Sequence, residues 1–159
     1  MTSSLQCLRS EGRELTWSLV LEDPNKNIEL HLNSLPVDPK VRHTCEISSL
    51  SMNLSSDNDD MLDHFLWVGK DELPLESVNI KLTRLNSKSL LVDYVVYTEV
   101  QSIEKISGNL EVVDSGLLLL DKSRDNIEKL ISSEYPDLEF DIVRGKTRWG
   151  IKAELNISP

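Results

Sequence analysis

A chain of 159 residues is long enough for one ordinary domain, or one and a fraction. With 39% hydrophobic and 28% charged residues it fits a soluble globular protein rather than a disordered one. Its formal net charge of -10 repels phosphate backbones and anionic lipid, which argues against nucleic-acid and membrane partners.

No apolar run approaches the roughly 18 residues needed to span a bilayer. The N-terminal segment lacks the basic stretch and apolar core of a secretory signal, so the expected location is the nucleus or cytoplasm. Cys7 and Cys45 lack metal-ligand spacing and read as thiols of a reducing compartment. Alanine occurs once, at Ala153, so the chain is not built mainly from helices.

Alternation of apolar and polar residues dominates the first hundred positions. Leu15, Trp17, Leu19 and Leu21 share one strand face, and Ile28, Leu30 and Leu32 resume it after the turn Asp23-Pro-Asn-Lys-Asn27. Residues 35–39, with two prolines, form a loop. From Val41 to Leu54 the alternation changes phase, and a β-bulge near Ser48-Ser49 would absorb the slip. Ser55 to Asp60 reads as a polar tip.

Met61 to Val68 fits a short helix or a strand, and HFLWV is assigned to a strand because its surroundings are β. Val78, Ile80 and Leu82 mark another strand. Leu90 to Val100 is apolar on both faces apart from Asp93 and Glu99, the pattern of a central strand. Gln101 to Asp121 reads as an extended connector ending in a strand at 117–120. Ser123 then caps a helix with the stripe Ile127, Leu130, Ile131 and an Asp125–Lys129 pair, stopped by Pro136. LEFDIV, a turn at Gly145 and a run with Trp149, Ile151 and Ala153 make a final hairpin.

Catalytic signatures are lacking, and the reading is of a non-enzyme with no cofactor, metal or catalytic residue. The SxxK tetrad at Ser102–Lys105 has no companion motifs. Asp57 to Asp60 would open an EF-hand loop, but the required glycine and glutamate positions hold Leu62 and Val68. His31, His43 and His64 fall on different predicted strands, and a zinc site would need them to converge. Trp17, Trp67 and Trp149 read as core residues, with Trp67, beside Gly69-Lys70-Asp71, also a candidate to line a groove.

The ordered segments TWSLVLEDPNKNIELHLNSL, VRHTCEISSLSMN, HFLWVGKDEL and SLLVDYVVYTEV resemble the MATH (TRAF-like) domain. DLEFDIVRGKTRWGIKAEL resembles the opening of a BTB/POZ domain, the combination found in the speckle-type POZ group of proteins. The resemblance implies a mainly β chain in three parts. Residues 1–101 would form an antiparallel TRAF-like β-sandwich lacking its first strand, and residues 102–136 a connector and linker helix. Residues 137–159 would be the partial β-hairpin that starts a BTB domain.

It further implies a substrate-recognition adaptor of a cullin-based ubiquitin ligase that binds protein peptides in a groove. Cullin binding and dimerisation would follow only with a complete BTB domain. The implied peptide-binding positions are His31, Cys45, His64, Trp67, Lys70 and Asp71. Of the family's groove residues only Lys70 and Asp71 match. Its aromatics fall at His31, Cys45, His64, Glu72 and Pro74, and anchors of that kind contribute often about 2 kcal/mol each. The alternative reading is a free-standing acidic binding inhibitor of the immunity or antitoxin type, suggested by small size and negative charge.

Overall fold

The structure is a computed structural model that describes residues 3–10, 14–55, 61–100, 105–144 and 150–156. In chain order the strands are β1 (Ser4–Ser10), β2 (Thr16–Asp23), β3 (Ile28–Leu32), β4 (Ser49–Ser55), β5 (His64–Val68), β6 (Asp71–Leu73), β7 (Leu75–Asn86), β8 (Ser89–Thr98) and β9 (Lys105–Asp121). Helix α1 (Arg124–Glu134) follows, then β10 (Phe140–Arg144) and β11 (Ile151–Leu155).

Among the described residues the fold is mainly β with one short helix, as expected. Nine strands run in the order β4-β7-β8-β9-β1-β2-β3-β5-β6, forming a curled, open half-barrel. Hydrogen bonding is continuous along this path. The layers of the expected antiparallel sandwich are therefore stretches of one sheet, and β1 runs parallel to β9.

Curling brings the apolar faces of distant strands together. Leu19, Leu21, Leu30, Leu32, Leu54, Leu66, Leu82, Leu90, Val92 and Leu119 are buried on the inner face. Such alternating burial follows from side chains pointing to opposite faces at successive positions. β8 is central, between β7 and β9, but Leu91, Val95 and Tyr97 on its second face are only half-buried.

Several expectations need correction. A strand does precede Trp17: Leu5 and Cys7 alternate into the core, and β1 pairs with both β2 and β9. The stretch read as a connector is a 17-residue strand, β9. Its glycines are not breakers. Gly116 takes φ 74° where the β1–β9 register slips, and its N–H bonds the Asp114 carboxylate at 2.8 Å.

The phase change before β4 is no bulge either. Residues Thr44–Glu46 form a 3-10 turn, pinned by Arg84 Nη2 donating to the Thr44 carbonyl at 2.5 Å, and β4 starts only at Ser49. A second 3-10 turn, Met61–Asp63, leads into the HFLWV strand.

The Ser123 cap is in place, its hydroxyl accepting from the Asn126 N–H at 3.4 Å. The i,i+4 ion pair on α1 is Arg124–Glu128 rather than Asp125–Lys129. α1 docks Ile127 against β9 and β11 instead of bridging to a separate body. The terminal hairpin does not stand apart. β11 pairs antiparallel with β9, Ala153 opposite Leu119, and Ala153 is fully buried. Leu119 lies on β9 within the main core, so the apolar face that a lone hairpin would expose is covered by the sheet. Gly145, Trp149, Ser102 and the Asp57–Asp60 run lie outside the described residues.

Candidate functional site

The β2–β3 hairpin begins the site. Asp23 closes its turn by accepting from the Asn25 N–H at 3.1 Å, and its other carboxylate oxygen accepts from Tyr94 Oη at 2.8 Å. Burial, then the Asp23 contact, pushes the Tyr94 hydroxyl far above its ordinary value, so it remains a donor. Asn27, at φ 53°, offers its carbonyl to the Gly69 N–H at 2.8 Å, which ties this turn to the one between β5 and β6. Gly69 is at φ 64°, a conformation glycine adopts without strain.

With the turns fixed, register decides what meets on the face turned away from the core. His31 lies opposite Phe65, and Glu29 opposite Trp67. The His31 and Trp67 rings meet edge-on at 5.2 Å, and Phe65 stacks on Trp67 at 5.7 Å and 25°. His31 Nε2 is 2.5 Å from a Glu29 carboxylate oxygen. All four side chains are half-buried. Pairing extends the row to Glu22 on β2 and Glu72 on β6, so three carboxylates line up beside the aromatic cluster.

Of the sequence-predicted residues, His31 and Trp67 are in contact, Lys70 occupies the exposed turn next to them, and Asp71 opens β6. His64 is one position out of phase. It points inward, is buried, and accepts from the Asn33 N–H at 3.2 Å through Nδ1. Cys45 lies in the 3-10 turn and lines a different cleft, with His43, Glu46, Arg84, Leu138 and Leu155.

Burial raises the Cys45 thiol, with the Asp114 charge adding to it, and burial lowers His43. Cys45 therefore keeps its proton at neutral pH and is no thiolate nucleophile. Cys7 is pushed up to about 12, chiefly by burial. The three histidines do not converge, since His31 and His64 occupy opposite faces of neighbouring strands. Among the described residues no group of three or more His, Cys, Asp or Glu is placed to hold a metal ion.

Phe65, Glu29 and Glu72 were missed in the sequence. The parity of HFLWV, which places Phe65 and Trp67 together, was the available signal. An aromatic cluster beside a row of carboxylates attracts cations by ring quadrupole and by charge. It contains no arrangement of base and nucleophile. No protein-family model, curated protein or solved structure matches the chain.

Proposed function

We propose that the protein is a non-enzymatic binding module that holds a cationic segment of a protein partner on the outer face of β3 and β5. The observation that carries this reading is the contact of His31, Phe65 and Trp67 beside Glu22, Glu29 and Glu72. Arginine or lysine stems would lie over the Trp67 ring while their charged ends reach the carboxylates. The net charge of -10 would steer such a partner to the surface and make association salt-sensitive. This is the behaviour of an acidic inhibitor that caps a basic enzyme.

The test is affinity capture with wild type, Trp67→Ala and the double variant Glu29→Lys/Glu72→Lys. A basic protein held by wild type should lose about tenfold or more in affinity to either variant, as removing a binding hot spot does. Equal retention by all three would reject this face as the binding surface.

A second reading keeps the resemblance. The ordered segments from Trp17 to Leu155 support a divergent TRAF-like recognition module in a ligase adaptor. That role needs residues 137–159 to enter a second domain, whereas 151–154 here pair with β9. Co-precipitation of a cullin scaffold with the protein would favour it, and its absence would count against it.

A further inference from the structure

Among the described residues, β4 ends the sheet at one side and pairs with β7. Unpaired backbone groups at such an edge are a template for another strand, and proteins usually block it with charge, proline or brevity. The other edges follow this rule. β6 has three residues, two of them Asp71 and Glu72, and β10 carries Asp141 within its five. β4 is different: its seven residues, SLSMNLS, hold no charge and no proline in a chain that is 28% charged.

The same seven residues read nearly alike in both directions. An antiparallel pairing with a second copy, centred on Met52, sets Ser49 opposite Ser55, Leu50 opposite Leu54 and Ser51 opposite Asn53. Residues directly opposite in an antiparallel pair share a face. Leu50, Met52 and Leu54 would thus extend the apolar inner face, while the exposed Ser51 and Asn53 stay outside. From Leu50 to Leu54 this register places no like charges together, which matters for two copies of a chain at -10. We propose that β4 is a homodimer interface, pairing two half-barrels edge to edge about a two-fold axis. The inference rests on a strand separate from the aromatic face and does not depend on the binding function.

Sedimentation equilibrium tests it. Wild type at high micromolar concentration should give twice the 18.1 kDa chain mass. Ser51→Lys with Asn53→Lys opposes two lysine pairs across the axis and should return the protein to 18.1 kDa. Ser51→Lys with Asn53→Glu changes the same exposed positions but makes opposite-charge pairs, and should restore the dimer. A monomeric wild type, a double-lysine variant that stays dimeric, or a lysine–glutamate variant that stays monomeric would each overturn the proposal.

Discussion

Asp114 illustrates how single residues hold this molecule together. Its buried carboxylate accepts from Thr44 Oγ1, from Arg84 Nη1 at 2.7 Å and from the Gly116 N–H at 2.8 Å, joining the 3-10 turn, β7 and the bulge in β9. Asp114→Ala should cost about 3–5 kcal/mol in urea unfolding, because it removes the carboxylate that faces the largely buried Arg84 guanidinium and accepts from Thr44 Oγ1 and the Gly116 N–H. A loss under about 1 kcal/mol would mean that the network contributes little. His43 sets a pH dependence. Burial holds it below its ordinary 6.5, with the Glu46 charge opposing and Arg42 assisting. Unfolding frees the imidazole to protonate, so acid favours the unfolded chain. This contribution is present above pH 6.5 and is lost as pH falls below it toward the folded value. His43→Gln should therefore lose less stability than wild type between about pH 7.5 and pH 5. An unchanged difference would show that His43 does not set that limb. Neither residue was legible as a structural keystone, since Asp114 and Arg84 are 30 positions apart and sequence shows no pairing at that distance. The sequence named His31 and Trp67, and the fold brings their rings into contact. Cys45 and His64, like His31, came from the resemblance, but Cys45 lies in a 3-10 turn and His64 faces inward.

At the scale of elements, alternation revealed β2, β3 and β7, each of which buries one face more than the other, whereas β5 was assigned from its surroundings and β8 from its apolar content. Alternation showed only residues 117–120 of β9, whose earlier part is less regular. A side chain at Gly108 would sit 2.9 Å from Tyr94 Oη, so the glycine makes room for the tyrosine across the ladder. β1 was missed because its inward pair, Leu5 and Cys7, is too short to register as a pattern. The helix was the clearest element, being bounded by Ser123 and Pro136. Ser123→Ala should cost about 1 kcal/mol through loss of the cap, read as a lower thermal midpoint. No change in midpoint would mean that docking of Ile127 alone holds the first turn.

For the whole molecule, sequence established a mainly β chain but not its closure. Strand pairing between β9 and β11 links residues 30 to 36 positions apart, and nothing in either segment alone specifies it. The hairpin and helix looked like a passage to another domain because both are locally complete. Their apolar sides, Ala153 and Ile127, are instead buried in the same core as Leu19 and Leu119. This pairing is what favours the proposed binding module over a hairpin that opens a second domain. Nuclear Overhauser contacts between β9 and β11 in labelled protein test it most directly. Cross-strand contacts placing Leu119 opposite Ala153, with slowly exchanging amides on both strands, are the predicted result. A hairpin that shows no contact with β9 and exchanges as an independent segment would contradict the account.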